Sequence, residues 1–148
     1  MPSVVAENAI VIGAGMGGLA AAKAVASYFD RVTVLDRDAL PEGPDVRPGT
    51  PQARHPHALL AGGSTALEAL FPDLGIDLLK AGAIKGRAGL ALRYEQPGFD
   101  PFPQRDLGFD AFFLSRPLLE HVCRRRLTQE PNVELRHRSR VADVAGVV

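Results

Sequence analysis

The chain has 148 residues, 46% of them apolar, which is enough for one compact domain with a single hydrophobic core. Its 17 basic residues balance its 17 acidic residues, so its charge gives no reason to expect binding to nucleic acid or to an anionic membrane. The one cysteine, Cys123, excludes an internal disulfide and has no partners at metal-ligand spacing, so we expect a buried, inert thiol and a reducing, cytoplasmic environment.

The N-terminus lacks the features of a targeting signal. Glu7 contributes an acid where a secretory signal carries lysine or arginine, and four glycines and Lys23 interrupt the apolar stretch at residues 9–26. No apolar run reaches the length of about 20 residues that spans a bilayer. The sequence therefore predicts no membrane-spanning segment.

The first three predicted elements form a βαβ unit. Residues 9–12 are a continuous apolar run that ends at a glycine, which is typical of a central strand buried on both faces of a parallel sheet. Residues 18–28 follow a helical pattern with mostly small side chains, which allow the helix to lie close to the sheet. Residues 31–36 are β-branched and apolar, and they predict the second strand.

The middle of the chain alternates loops with short elements. Residues 41–56 hold five prolines and two glycines, so we expect a long surface loop there. The patterns that follow predict a helix at residues 57–70, a helical turn at 78–81, a strand at 89–94, a second loop at 97–110 and an extended piece at 112–114.

The last third predicts one helix between strands. Ser115 is placed to cap a helix that runs to Gln129, with an inner stripe formed by Leu119, Val122, Cys123 and Leu127. Residues 124–126 are three arginines near its C-terminal end, where the helix dipole favours cations, and we interpret them as a solvated basic turn. Residues 133–137 predict a strand, and residues 141–148 predict the start of another.

Residues 13–18, Gly-Ala-Gly-Met-Gly-Gly, match the G-x-G-x-x-G fingerprint between the predicted first strand and helix. Gly13 permits the tight turn, Gly15 lets the backbone approach a pyrophosphate, and Gly18 permits close packing of the helix on the strand. Ala14 and Gly17 complete a turn whose free N–H groups open a helix and attract phosphate. The motif in this context predicts a dinucleotide-binding site.

Asp36 ends the second predicted strand, 18 residues after Gly18. An acid near this spacing accepts a hydrogen bond from a ribose hydroxyl, and its charge repels a 2′-phosphate, which disfavours NADP. Arg37 follows immediately and either faces solvent or binds a phosphate. These features leave NAD and FAD both open.

Two further segments resemble a known family. Residues 50–63, Thr-Pro-Gln-Ala-Arg-His-Pro-His-Ala-Leu-Leu-Ala-Gly-Gly, continue into Ala-Leu-Glu-Ala-Leu-Phe-Pro-Asp-Leu at 66–74. Residues 115–120, Ser-Arg-Pro-Leu-Leu-Glu, precede an arginine-rich helix and Pro-Asn-Val at 131–133. With the glycine motif, these landmarks resemble the class A FAD-dependent monooxygenases related to squalene and polyether epoxidases, over nearly the whole chain.

The resemblance implies an α/β fold, with a Rossmann-like, doubly wound parallel sheet of the FAD/NAD(P)-binding type. Gly13, Gly15, Gly18 and Asp36 would bind the ADP half of FAD, Arg116 would contact its pyrophosphate, and Arg54, His55 and His57 would lie near the flavin. An arginine at a helix N-terminus is unfavourable unless an anion is near, which independently supports the role of Arg116. The two histidines are alternatively metal ligands, but no acid or cysteine accompanies them, so we expect no metal site.

The resemblance also implies the reaction of the complete enzyme. Such an enzyme uses NAD(P)H and O₂ to oxygenate a small organic substrate, with the chemistry residing in FAD, so we name no catalytic residue. The family's Asp-Gly and Gly-Asp flavin-binding segments do not occur up to Val148. We therefore interpret residues 1–148 as the N-terminal, incomplete FAD-binding domain, without the substrate domain and inactive alone.

Three other interpretations stay open. An FAD-linked dehydrogenase, reductase or halogenase would share these landmarks. An NAD-dependent dehydrogenase would explain the βαβ unit but not residues 54–70. From a different class, the chain would be a non-catalytic dinucleotide-binding module whose partner is the C-terminal portion as a separate chain.

Overall fold

The computed structural model describes residues 4–146, which form two three-stranded sheets and four α-helices. The strands are β1 (Ala6–Ile12), β2 (Phe29–Leu35), β3 (His57–Leu59), β4 (Ile84–Arg87), β5 (Asp110–Leu114) and β6 (Val133–Arg136). The helices are α1 (Met16–Val25), α2 (Ala61–Leu70), α3 (Leu74–Lys80) and α4 (Arg116–Leu127). The fold is α/β, as predicted.

The first sheet is parallel, with the strand order β1-β2-β6. Because side chains alternate between faces along a strand, one face of this sheet collects the apolar residues that pack on the core. They are Ala9, Val11, Val32, Val34, Val133 and Leu135. Helices α1 and α4 pack against each other and join the same core, so both cover this face.

The prediction that β1 is a central strand buried on both faces is wrong for the described residues. Strand β2 lies in the middle, and Ile10 and Ile12 on β1 are 67% and 59% exposed. Only Ala9 and Val11 pack against the core. Isoleucine and valine suit a strand whether one or both faces are covered, so the apolar run could not decide between the two arrangements.

The second sheet is antiparallel, in the order β3-β5-β4, and it corrects two predictions. The helix predicted at residues 57–70 begins only at Ala61, because His57–Leu59 pair with β5 instead. The strand predicted at 89–94 is absent, and Ile84–Arg87 form strand β4 upstream of it. Gly89 has a φ of 82° and the amide of Ala91 donates to the Arg87 carbonyl at 2.8 Å, so the chain turns there and leaves the sheet.

Helix α4 closely matches its prediction. The Ser115 hydroxyl caps it by accepting a hydrogen bond from the Leu118 amide at 3.2 Å, and the helix ends at Leu127, two residues before Gln129. The predicted stripe is buried, and Cys123 is fully inaccessible. The expected burial of Cys123 is confirmed, and burial raises the pKa of its thiol to about 12.

The remaining segments are irregular or differ modestly from expectation. Residues 41–56 form the predicted long loop, with a single turn of 3₁₀-helix at Pro51–Arg54. The helical turn predicted at 78–81 is the end of the longer helix α3. Residues 141–146 form no strand, and the rest of the strand predicted there lies outside the described residues. Between residues 4 and 146 no helix combines the length and the apolar character needed to cross a membrane.

Candidate functional site

A cleft of about 500 Å³ opens where parallel strands β1 and β2 end. Its walls come from the turn at residues 13–18, which we call the glycine turn, and from the loop that follows β2. The first residue of α4 and residues 139–141 complete them. In open α/β sheets, ligands bind outside the carboxyl ends of the strands. The cleft therefore has the position of a ligand site in this class of fold.

The glycine turn has a different structural requirement at each of its main glycines. Gly13 has a φ of 97°, and its amide donates to the Leu35 carbonyl at 2.7 Å, which ties the turn to β2. A Cβ on Gly18 would lie only 1.7 Å from the Gly13 carbonyl oxygen, so only glycine fits there. A Cβ on Gly15 would meet nothing closer than 3.8 Å. Gly18 is thus required for packing, whereas Gly15 leaves space open beside the cleft.

Asp36 lies at the end of β2, and its carboxylate is almost completely buried beneath the cleft. Oδ2 accepts the Ala14 amide at 2.6 Å, and Oδ1 accepts the Asp38 amide at 2.8 Å. Arg47 Nη1 lies 3.2 Å from Oδ1 and 3.3 Å from Oδ2. Because a carboxylate accepts about four hydrogen bonds, Asp36 is saturated by the protein itself in this arrangement.

Arg47 lies at the centre of a buried ionic cluster, which we define as Asp36, Asp38, Arg47, Arg116 and Glu120. Its side chain is 6% exposed, and its Nη1 also donates to Asp38 Oδ2 at 2.8 Å. Asp38 Oδ2 accepts the Gly49 amide at 2.6 Å, and the Arg47 carbonyl accepts the Thr50 amide at 3.1 Å. These bonds fold the loop at residues 41–56, which we call the proline-rich loop, so that the Arg47 side chain points inward.

Helix α4 supplies the other half of the ionic cluster. Glu120, whose side chain is 5% exposed, accepts a hydrogen bond from Arg116 Nε at 2.7 Å. Its second oxygen lies 3.6 Å from Arg47 Nη2. The ionic cluster thus joins the ends of β1 and β2, the loop after β2 and the start of α4.

One fully buried donor of the ionic cluster has no acceptor. Arg47 Nε is buried and makes no hydrogen bond to any residue of the described chain. Buried donors are nearly always paired, so this unpaired nitrogen is an exception among the described residues. Other atoms of Arg47 line the cleft, and a guanidinium favours phosphate and carboxylate oxygens. The charge of Arg47 therefore favours an anionic ligand in the cleft.

The structure brings most of the predicted site residues to the cleft. Gly13, Gly15, Gly17, Asp36, Arg37 and Arg116 line it. Ala14 is fully buried behind the turn and bonds to Asp36, and Gly18 packs against Gly13. Arg54 does not line this cleft. It borders a neighbouring cavity of about 470 Å³ that is lined also by Arg47 and Thr50.

His55 at the end of the long loop and His57 at the start of β3 form a local contact. His57 Nδ1 lies 2.7 Å from the His55 carbonyl oxygen, which is a local backbone contact. Among residues 4–146, no three side chains of the histidine, cysteine, aspartate or glutamate type come together as a set that could bind a metal ion.

The arginine triplet at the end of α4 is not simply a solvated turn. Arg124 donates to the Pro41 carbonyl, and Arg126 donates to the Pro72 carbonyl. Burial lowers the pKa of the Arg124 guanidinium, although it remains positively charged at neutral pH. Only Arg125 is exposed as predicted, because the other two bind loops that pack beside the helix.

Sequence reasoning missed Arg47 and Glu120. Arg47 lies in a loop without any periodic pattern, so no signal in the sequence separates it from a surface arginine. Glu120 could have been found, because it lies four residues after Arg116 and three before the predicted inner residue Cys123. Residues at this spacing share one face of a helix, which here is the buried face.

Comparison with known proteins adds relatives by sequence and by structure, although no family model matches the chain. Over 139 residues the chain is 37% identical to Protein Rv3254 of Mycobacterium tuberculosis strain H37Rv. The alignment covers 87% of this chain and 28% of that protein.

Two relatives by structure come from Pseudomonas. PqsL of Pseudomonas aeruginosa, described as a probable FAD-dependent monooxygenase, superposes with a TM-score of 0.63 and 16% identity, over 97% of this chain and 35% of its own. The p-nitrophenol 4-monooxygenase PnpA of Pseudomonas putida DLL-E4 superposes with a TM-score of 0.59 and 22% identity, over 93% of this chain and 33% of its own. What they share with this chain is the fold. The chain spans about a third of the length of each relative, so the fold similarity concerns only that part of them.

Proposed function

We propose that this chain forms the FAD-binding part of a flavin-dependent oxidoreductase, and that the complete enzyme is a monooxygenase. The observation that carries the proposal is the cleft at the ends of β1 and β2, which is bordered by a glycine turn and by four arginines, Arg37, Arg47, Arg116 and Arg140. We propose further that residues 1–148 belong to one doubly wound, Rossmann-like FAD-binding domain, and that the protein resides in the reducing environment of the cytoplasm.

The residues of the cleft fit the ADP portion of FAD. The backbone of residues 13–18 would hold the pyrophosphate, since Gly15 leaves the approach free and the amides at the start of α1 attract phosphate. Arg116 and Arg47, which both line the cleft, would supply positive charge to the same group. Asp36 would accept the ribose hydroxyl only if Arg47 Nη1 gave up its contacts to that carboxylate, because its acceptor sites are filled.

Several observations support FAD over the nicotinamide nucleotides. The landmarks at residues 50–74 and 115–120 resemble FAD-dependent monooxygenases, and PqsL, which shares the fold, is described as a probable member of that class. The acid at the end of β2 disfavours a 2′-phosphate and therefore NADP. FAD is accordingly the nucleotide that we propose for the cleft, with NAD(P)H as the electron donor of the complete enzyme.

The chemistry of such an enzyme would reside in the cofactor. FAD, when bound, supplies a group that accepts a hydride and, once reduced, reacts with O₂. The described residues bind and orient: the glycine turn and the ionic cluster hold one end of the nucleotide in a fixed place. We assign no described residue to proton transfer or to contact with an organic substrate.

Denaturation of the purified complete protein, of which residues 1–148 are a part, and chromatography of the released nucleotide test the cofactor. We expect FAD in an amount close to one per chain. Release of NAD, or of no nucleotide from a sample that was also incubated with FAD, would contradict the proposal.

Oxygen uptake tests the monooxygenase assignment. With NAD(P)H and an organic substrate that accelerates its oxidation, we expect one O₂ consumed for each hydroxylated or epoxidised product. Transfer of electrons from the substrate to the flavin without O₂ incorporation would favour an FAD-linked dehydrogenase, and a chloride-dependent product would favour a halogenase. An alkene converted to an epoxide would further support the squalene and polyether epoxidase branch.

A further inference from the structure

Glu120 is a buried carboxylate next to the cleft whose role the proposed cofactor contacts do not explain. Its side chain is 5% exposed and it lies one helical turn after Arg116. A buried charge is retained only where its surroundings compensate it. Glu120 is compensated by two arginines that come from distant parts of the chain.

The two oxygens of Glu120 divide between these arginines. Oε1 accepts Arg116 Nε at 2.7 Å, and Oε2 lies 3.6 Å from Arg47 Nη2. Glu120 therefore bridges the first residue of α4 and the proline-rich loop. Arg116 contacts Glu120 through Nε, and within residues 4–146 this is the one hydrogen bond that its side chain makes to the protein.

This bridge lies directly beside the glycine turn. The position of a Cβ on Gly15 is 3.9 Å from Glu120 Oε1 and 3.8 Å from Arg47 Nη2. Two guanidinium groups that approach one point repel each other, and a carboxylate between them removes that repulsion. Glu120 thus allows two cations to lie beside one small stretch of backbone.

Both arginines have their charge compensated without Glu120. Arg47 already contacts Asp36 and Asp38 at 3.2 and 2.8 Å. The Arg116 side chain is 22% exposed, so its charge reaches water. What Glu120 alone provides is the relative placement of the two guanidinium groups.

We propose that Glu120 is a positioning residue, which holds Arg47 and Arg116 at the cleft beside the glycine turn so that both act on one anionic group of the bound nucleotide. The inference rests on the proposed function, because the anion is the pyrophosphate of FAD. Glu120 itself makes no contact with the nucleotide. The negative charge of Glu120 repels a nearby anion, so Glu120 favours binding only if its placement of the two arginines outweighs that repulsion.

Glu120→Gln in the complete protein tests the placement, since glutamine keeps the size of the side chain and removes its charge. We expect FAD to bind about tenfold more weakly, measured by calorimetric titration of the cofactor-free protein. Glu130→Gln is the matched control, because Glu130 is paired with Lys23 away from the cleft. We expect this control to bind FAD as the unchanged protein does.

A double-mutant cycle separates positioning from general loss of structure. If Glu120 acts through Arg116, then Glu120→Gln has little further effect on FAD binding once Arg116→Gln is present. Equal losses in both backgrounds, or unchanged or tighter FAD binding in Glu120→Gln, would overturn the inference.

Arg116→Lys provides a second test that does not remove the buried acid. Lysine keeps the charge but has one compact ammonium instead of a planar guanidinium, so the contact with Glu120 and the contact with the ligand can no longer come from separate nitrogens, and we expect a similar loss of affinity. Wild-type affinity in Arg116→Lys would refute positioning. If the unchanged protein binds FAD while all these variants match it, the inference alone fails. If the unchanged protein binds no FAD, the proposed function fails first.

Discussion

The ionic cluster and the base of the loop at residues 88–109 use the same residue types in opposite ways. In the cluster, Arg47 contacts Asp36 and Asp38, and all three side chains are at most 8% exposed. In the loop, Arg87 contacts Asp106 and Asp110, and these side chains are 35–51% exposed. The comparison indicates that burial, rather than the pairing itself, decides how strongly an arginine-aspartate contact constrains the fold.

The segments around Arg47 and Arg87 differ in the same way. The glycine turn and the loop after β2 are bound to each other through buried side chains and backbone amides. The loop at residues 88–109 instead leaves apolar side chains uncovered, with Phe99 75% and Phe102 65% exposed. Changes near the cleft should therefore affect the whole fold, whereas changes in the loop should remain local.

Gly18→Ala should have the largest effect on folding. Its Cβ would overlap the Gly13 carbonyl oxygen at 1.7 Å, and backbone cannot move aside there without separating α1 from β1. We expect a loss of about 5 kcal/mol or more in the free energy of unfolding, measured by urea denaturation. Gly17→Ala is the control, because no atom lies within 4 Å of its Cβ position and alanine favours a helix. Equal stability of the two variants would show that the tight contact is not present.

Arg47→Met should come next, because it leaves three buried carboxylates without their shared cation. Removal of one partner from a buried ion pair typically destabilises a protein by about 3–5 kcal/mol. The same change at Arg87 should leave the urea midpoint unchanged, since its partners are well exposed. Similar midpoints for the two variants would remove the distinction between the two regions.

Gly15→Val should separate ligand binding from folding within the cleft. Gly15 has φ −76° and ψ 178°, which any residue adopts, and its Cβ position has no contact closer than 3.8 Å. We therefore expect the thermal unfolding of the cofactor-free protein to change much less than it does in Gly18→Ala. FAD binding should be lost, because the branched side chain fills the approach to the backbone. Retention of FAD at wild-type affinity would place the pyrophosphate elsewhere.

The smallest effect is expected from acid at the loop. The Gly108 amide and the Arg87 guanidinium hold the pKa of the Asp106 carboxyl below its ordinary value of 3.8. The folded protein thus favours the charged form, so this contribution to stability is complete above pH 3.8 and disappears as the pH falls through the lower folded value.

An NMR titration of the Gly108 amide shift measures this pKa, because that amide donates to Asp106 Oδ1 at 2.7 Å. We expect a midpoint below 3.8 that vanishes in Asp106→Asn. The Ala83 amide, which donates to the Leu78 carbonyl, should show no such step. A midpoint at or above 3.8 for Gly108 would contradict the pairing.

The sequence predicted the elements whose local pattern is sufficient. Ser115 and the stripe of α4 specified that helix, and the glycine motif lay between β1 and α1 as expected. The antiparallel sheet was not predicted, because β3 has three residues and β4 has four, and segments this short carry no measurable periodicity. Pairing with β5, which is distant in sequence, decides their conformation.

The cleft was predicted less completely than the fold. Gly15, Asp36 and Arg116 belong to patterns with known spacing and could be named in advance. Arg47 could not, because its position depends on hydrogen bonds between Asp38 and the backbone of its own loop. Asp36 was expected to be available to a ligand, and its saturation by Ala14, Asp38 and Arg47 becomes visible only in three dimensions.

The buried thiol of Cys123 is an intrinsic chemical probe of opening in the core. It lies at the inner face of α4 with no exposed surface, and burial raises its pKa to about 12, so reagents that attack thiolates cannot modify it in the native state. Modification requires α4 to leave the core. Because this is the only cysteine in the chain, its rate of alkylation reports the opening of that one helix without any engineered label.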